Sequence, residues 1–373
     1  MKFLKFARAE RERESSCKII QRLLNHITIK RIIASFFVIL LFATLISGLK
    51  IKNRYFHHKL PTKSIKLEDI KSVQIINLDR AKDRREHYEK MLHDNFGDTF
   101  MGHKIGEEIR LSGVDGKKEI IFENLGTGKK LTYDDFKVNG EVQTEKFDIF
   151  KSGVYKVYSK NNPKNYTFYY FNKLLSNMGY FLSRIYNKFG IKLSILKALH
   201  KIAKQPNGTY GAIFEDDFLV EKDFYDKLST ILQNVPEDFD ALKLSINPYD
   251  IMAGLKKVPL RMENLRIIKR SFRIKGYGDW IHAKHIGTKL DEITWGNQFF
   301  IVSKKGAEKI IRYYYENIAI LHGTDIELWH LIPKIDPKIN TYIYLKEVPV
   351  LLNLNDSNTS STADIKYDEE TNK

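Results

Sequence analysis

The chain has 373 residues, a formal net charge of +16 and 43% apolar residues. That length and composition describe a folded globular protein and exclude a largely disordered chain. The placement of the charge also argues against a nucleic-acid-binding domain. Residues 1–31 hold nine Lys/Arg and three Glu, and residues 50–66 hold six Lys/Arg and no acid, so the basicity sits mostly outside the region expected to fold.

Between these two flanks, residues 32–49 read IIASFFVILLFATLISGL. An uncharged stretch of this length is just sufficient to cross a bilayer core as a helix. The sequence therefore predicts a basic tail (1–31), a single transmembrane helix (32–49) and a basic stem (50–70), with the flanks held by anionic membrane lipids. Both flanks are basic, so the positive-inside rule assigns no side. Two topologies stay open: a domain in a compartment such as the Golgi lumen, or one on the cytoplasmic face in a bacterium. The only cysteine, Cys17, precedes the span, so the folded domain has no disulfide framework. Four Asn-x-Ser/Thr sequons occur, at Asn165, Asn207, Asn355 and Asn358.

A folded domain is expected over 71–355, followed by a polar, disordered tail over 356–373. Val73–Leu78 reads as a buried strand, and AKDRREHYEKML as the helix after it, with Asp79 as a candidate cap. Residues 105–160 alternate short apolar runs with Gly, Asp and Asn, which predicts hairpins and loops. From Ile185 to Ile202 apolar residues recur at steps of three and four, which predicts two helices broken near Gly190. Tyr210–Phe214, Phe239–Leu244 and Phe299–Val302 read as further strands, the last followed by the helix KKGAEKIIRYYYENI. Strands alternating with helices predict an α/β domain with a largely parallel sheet, whose ligands bind at the carboxyl ends of the strands.

Glu215, Asp216 and Asp217 stand directly after the strand Tyr210–Phe214. Three like charges in a row need an offset. In extended backbone Glu215 and Asp217 point to one side and Asp216 to the other. Two carboxylates on one side make a sparse oxygen site for a hard divalent cation, completed by water or phosphate. The bland alternative is an acidic turn that caps the following segment.

Four blocks, in order, resemble glycosyltransferase family 25, which includes bacterial lipopolysaccharide sugar transferases and collagen galactosyltransferases. The first is Val73-Gln74-Ile75-Ile76-Asn77-Leu78-Asp79-Arg80 with Asp83-Arg84-Arg85. The second is Arg110-Leu111-Ser112-Gly113-Val114-Asp115-Gly116. The third is Ala212-Ile213-Phe214-Glu215-Asp216-Asp217, followed by Asp240–Leu244. The fourth runs from Trp295-Gly296-Asn297-Gln298 through Ala307, followed by Thr324-Asp325 and Val348-Pro349-Val350.

The resemblance implies a GT-A type nucleotide-diphospho-sugar transferase domain. It implies a UDP-hexose donor, often UDP-galactose, with Mn²⁺ or Mg²⁺ held by Asp217, Glu215 and Asp216. It also implies inverting transfer to a hydroxyl of a glycan, lipid-linked or protein acceptor, as in lipopolysaccharide or other glycan biosynthesis. Asn77, Leu78, Arg80, Asp115, Glu215 and Asn297 would bind the sugar nucleotide, and Asp325 would be the general base. Arg84 and Arg85 would approach phosphate or remain solvated. Gln298 would meet sugar hydroxyls, Trp295 would stack on a sugar face or pack in the core, and His322 and His330 would add a metal or phosphate contact. The chain departs from the family in its helix GIKLSILKALHKIA, which lacks the usual Ser-His pair, and in the long stretch between the second and third blocks. Two other classes stay open: a catalytically inactive, membrane-tethered binding domain and a metal-dependent hydrolase.

Overall fold

Alternation along the strands assigns each residue of the central sheet to one of two faces. In Tyr210–Glu215, Ile213 packs in one apolar cluster while Ala212 and Phe214 pack in the other. Phe299–Ser303 divides the same way, with Phe300 and Val302 on one side and Phe299 and Ile301 on the other. A sheet buried on both faces produces the near-continuous apolar runs seen in the sequence.

The computed structural model describes residues 61–142, 149–171, 182–245, 279–283, 296–319, 324–344 and 348–352. The principal elements in chain order begin with β1 (Ile70–Asn77), α1 (Lys82–Phe96), β2 (Arg110–Ser112), the short α2 (Gly116–Glu119), β3 (Ile120–Asn124), β4 (Lys130–Leu131), β5 (Gly153–Ser159) and β6 (Asn162–Phe171). They continue with α3 (Leu182–Ala203), β7 (Tyr210–Glu215), β8 (Phe218–Val220), α4 (Phe224–Leu232), β9 (Ala241–Lys243), β10 (Trp280–His282), β11 (Phe299–Ser303), α5 (Lys304–Glu316) and β12 (Ile318–Ala319). The short α6 (Thr324–Ile326) runs through a π turn (Glu327–Leu331) into α7 (Ile332–Ile335), before β13 (Thr341–Tyr344) and β14 (Val350–Leu352). The predicted span at 32–49, and with it the tail 1–31, most of the stem and the tail 356–373, lies outside the described residues. Among the described residues no helix is long and apolar enough to cross a membrane.

The protein is α/β, with a seven-stranded mixed sheet in the order β10-β13-β9-β11-β7-β1-β2. Strands β1, β2, β7, β9 and β13 share one direction, while β10 and β11 oppose it. Phe299–Val302 is thus a strand as expected, but it runs antiparallel between β7 and β9. Hydropathy marks burial on both faces and carries no sign for direction. Helix α3 lies against β1, β7 and β11, and α1 packs on the opposite cluster. A second, five-stranded sheet, β12-β6-β5-β3-β4, packs on the far side of α3. Its hairpins account for the broken pattern of residues 105–160, and its core is filled by edge-to-face rings such as Phe122 with Phe150, Tyr186 and Phe189.

Three local expectations are corrected. Helix α3 is continuous through Gly190. Gly190 is a contact point instead: a Cβ there would lie 2.7 Å from the Val114 carbonyl oxygen, and one at Gly116 would lie 2.1 Å from the Tyr186 carbonyl oxygen. Asp79 does not cap α1, whose N-cap is Ala81. Its carboxylate turns to Arg110, which holds the Asp79 carboxyl below its ordinary range. The end of the stem also joins the domain, with Thr62–Lys63 pairing with Val235–Pro236 and Ile65 donating its N–H to the Leu232 carbonyl at 3.0 Å.

Candidate active site

Strand β1 has β2 on one side and β7 on the other. The chain leaves β1 toward the near edge and later returns on its other flank. Such a reversal opens a crevice at the carboxyl ends of the two strands. Those ends carry Asn77-Leu78-Asp79-Arg80 from β1 and Glu215-Asp216-Asp217 from β7.

The middle acid of the triplet is tied to β1 and α1. Asp216 accepts from Asn77 Nδ2 at 2.7 Å through one oxygen and from the Arg84 guanidinium at 2.7 Å through the other. Asn77 is itself buried. Its amide also donates to the Ala81 carbonyl at 3.1 Å and accepts from Arg110 Nε at 3.3 Å. Asn77 therefore holds the strand ends together, and its side chain is committed inside the protein. Of the two arginines weighed in the sequence, Arg84 reaches the triplet, and Arg85 pairs with Glu89 and Glu107.

Beside them Arg80 donates to Asp115 at 2.9 Å. Asp115 caps α2 by accepting from the Lys117 N–H at 3.2 Å. Leu78 is half-buried next to Gly113, whose N–H donates to the Asn77 carbonyl at 2.9 Å. Asn77, Leu78, Arg80, Asp115 and Asp216 thus form one connected rim along β1 and β2.

Glu215 faces different neighbours. It keeps part of its surface open, whereas Asp216 and Asp217 are buried. Burial pushes its carboxyl well above the ordinary glutamate range, and the charges of Asp217, Asp325 and Asp216 push the same way. A hydrogen bond from the Asn297 backbone N–H opposes them only in part. The fold therefore brings Glu215, Asp217 and Asp325 into one electrostatic neighbourhood, although Asp325 is distant in sequence.

The loop entering β11 links these groups. Gly296 has φ +75°, and its N–H donates to Asp325 Oδ2 at 2.8 Å. Asp325 Oδ1 accepts from the Ile326 N–H at 2.9 Å, so its carboxylate plane is fixed from both sides. Gln298 folds back over Gly296, where a Cβ would lie 2.3 Å from Gln298 Oε1. That oxygen is buried and meets no hydrogen-bond donor among the described residues. Asn297 is also buried, and its Oδ1 accepts from the Trp329 indole N–H at 2.7 Å. Trp295 and His322 lie outside the described residues. His330 sits on the π turn with both ring nitrogens near Lys334 Nζ, at 3.2 and 2.9 Å.

Sequence reasoning passed over Lys192, Glu327, Tyr314 and Trp329. Lys192 Nζ lies 2.6 Å from Glu327 Oε1, and both side chains are enclosed. Tyr314 donates to the other Glu327 oxygen at 3.2 Å. Burial raises the Glu327 carboxyl, while Lys192 and Tyr314 draw it back down. One signal was available: Lys192 stands three residues after Phe189, on the apolar stripe of α3, where an unpaired cation would be costly.

The resemblance implies a divalent ion at this place. Among the described residues, no three His, Cys, Asp or Glu side chains close into a protein cage. Glu215 and Asp217 nevertheless supply hard oxygens in a place where like charge is in excess. They fit a sparse site of the kind that leaves most of the shell to water and phosphate. Asp216, spent on Asn77 and Arg84, supports that pair from behind. A separate cavity of about 420 Å³ opens at the opposite end of the sheet, lined by Lys63, Tyr210, Asp240 and Lys309 among others, and holds none of these residues. In comparison with known proteins, no family model and no curated protein matches this chain.

Proposed function

We propose that the chain is a metal-dependent, inverting glycosyltransferase with a GT-A type domain. It moves a hexose, galactose in the first instance, from a UDP-sugar to a hydroxyl of a glycan, lipid-linked or protein acceptor. The observation that carries this reading is the convergence of Asp217 and Asp325 on Glu215 at the carboxyl ends of β1 and β7, where burial and their charges push the Glu215 carboxyl well above its ordinary range. A fold keeps such an arrangement at a cost in stability, which suits a site that receives a cation and a charged ligand. The four sequence blocks in family order support the same reading.

Glu215 and Asp217 would hold Mn²⁺ or Mg²⁺, and the ion, when bound, would neutralise the charge that grows on the departing diphosphate. The rest falls to the chain's own side chains. Arg80 and Arg84 stand on the rim as cations for the nucleotide, and the buried Gln298 oxygen and Asn297 line the sugar end. Asp325 accepts the acceptor proton as the new bond forms between that hydroxyl oxygen and the anomeric carbon. The bond from that carbon to the diphosphate oxygen breaks in the same displacement, inverting the centre. The backbone bonds to both Asp325 oxygens aim it without using all its lone pairs.

The test is incubation of the purified full chain with a panel of UDP-sugars and Mn²⁺, with UDP release as the readout. Asp217→Ala is expected to lower the rate by about 100-fold or more, beyond the usual loss from disturbing a group that merely supports a metal ligand. The reading fails if no UDP-sugar is consumed, or if Asp217→Ala leaves the rate unchanged. A joint rise in melting temperature with UDP and Mn²⁺ but no turnover would identify the inactive binding domain. A phosphoester hydrolase would ignore UDP.

A further inference from the structure

The pair Lys192–Glu327 is enclosed, and its acid stands two residues after Asp325. Its side chains are 2% and 4% exposed. Lys192 Nζ also stands over the rings of Phe189 at 4.9 Å and Tyr314 at 5.9 Å. A buried ion pair adds little stability over an apolar pair of the same volume, and its best-attested use is to fix register. Here the segment in need of a register is the π turn. A π turn carries one more residue than an α turn, and helices seldom keep one without a local reason. Rewinding it to an α turn would rotate everything on one side by about 100°.

Glu327 opens that turn, two residues after Asp325 and two before Trp329. Asp325 and Trp329 grip consecutive residues of the β11 entry, Gly296 and Asn297. Asn297 in turn donates its N–H to Glu215. A single turn thus sets the distance between the proton acceptor and the donor site, and its first residue is anchored to α3 and α5 by Lys192 and Tyr314.

We propose that Lys192 and Glu327 are positioning residues, which hold the π turn wound so that Asp325 and Asn297 stay in register with Glu215. This rests on the transferase reading for its effect on turnover, and on the geometry alone for its effect on the turn. Tyr314 completes the clamp from α5.

The experiment compares the full chain with Lys192→Met, Lys192→Arg and the double variant Lys192→Met/Glu327→Gln, which removes both buried charges together. Three quantities are read: the UDP-release rate, the melting shift with UDP and Mn²⁺, and amide hydrogen exchange over residues 325–331. In folded Lys192→Met the UDP and Mn²⁺ shift is expected to persist. Its turnover is expected to fall about 10- to 100-fold, the scale for a support one step removed from the reacting groups. Exchange over 325–331 should rise while the rest of the domain stays protected, and Lys192→Arg should recover most of the turnover. If Lys192→Met does not fold, the double variant is expected to fold and show the same pattern. Unchanged turnover in either folded variant would overturn the proposal, and so would UDP binding that falls in step with turnover. If the parent chain consumes no UDP-sugar, the transferase reading fails by itself. The clamp is then decided by exchange alone, and unchanged protection over 325–331 in the folded variants sinks it.

Discussion

The two ends of the central sheet differ in how completely they pair their charges. At the amino ends of the parallel strands, around the cavity, opposite charges meet in pairs. Lys309 reaches Asp240 at 2.7 Å and Lys304 reaches Glu308 at 2.6 Å. Asp238 accepts from Tyr342 and Asn340. At the carboxyl ends, Arg80, Arg84 and Arg110 pair with Asp115, Asp216 and Asp79, but Asp217 and Asp325 crowd like charge around Glu215. One end pairs its charges, and the other leaves Glu215 among like charges. The cavity lies at the end where the charges are paired.

The sharpest way to break this comparison is to remove a partner at the satisfied end. Burial raises the Asp240 carboxyl, and the Lys309 hydrogen bond is the largest effect against it. Lys309→Met would leave that carboxylate enclosed, so unfolding free energy near neutral pH is expected to drop by about 3 kcal/mol, the low end for opening a buried pair. Denaturant titration checks this, and a loss too small to measure would remove the contrast.

Next in size is the backbone link between Asp325 and β11. Gly296→Ala must hold a left-handed residue and push the Gln298 carboxamide aside. A loss of about 1–2 kcal/mol from the backbone alone is expected. Turnover should fall with it, because the Gly296 N–H aims Asp325.

The smallest effect has the opposite sign. With its carboxyl raised in the folded state, native Glu215 stays protonated over a range in which the unfolded chain has already ionised. Its contribution is therefore intact below the ordinary glutamate value of 4.5 and is lost as pH rises toward the raised native value. Glu215→Gln should remove that slope and stabilise the bare protein at neutral pH by on the order of 1 kcal/mol, the usual scale for a single change. Melting curves across pH would show it. A destabilised Glu215→Gln protein would mean that the carboxylate end is as well satisfied as the other.

Much of the scaffold was legible because burial writes itself into hydropathy. The strand at Val73–Leu78 is there as Ile70–Asn77, and the strand at Tyr210–Phe214 extends by one residue to Glu215. The antiparallel course of β11 was not legible, since direction depends on pairing partners that local pattern does not encode. The misread break at Gly190 has a similar cause. Glycine signals either flexibility or close approach, and only the neighbouring chain at Val114 tells which. In the candidate site, the acidic triplet announced itself, and strand alternation already set Asp216 apart from Glu215 and Asp217; what holds Asp216 was not legible. Asp216 differs from its neighbours because Arg84 and Asn77 happen to reach it. For Lys192 the sequence held one sign, its place on the apolar stripe of α3, but nothing local pointed to Glu327 as its partner.

The contact of α3 with the turn at 113–116 has a mechanical side. Gly190 and Gly116 let two backbones touch with no side chain between them, and Ser194 locks the junction by accepting the Val114 N–H at 2.7 Å. No rotamer is available there to take up a displacement. The turn bearing Asp115 is therefore seated directly on the α3 backbone. Lys192 lies on that same helix, two residues from Gly190. One helix therefore touches both the turn that bears Asp115 and, through Lys192, the turn that opens at Glu327.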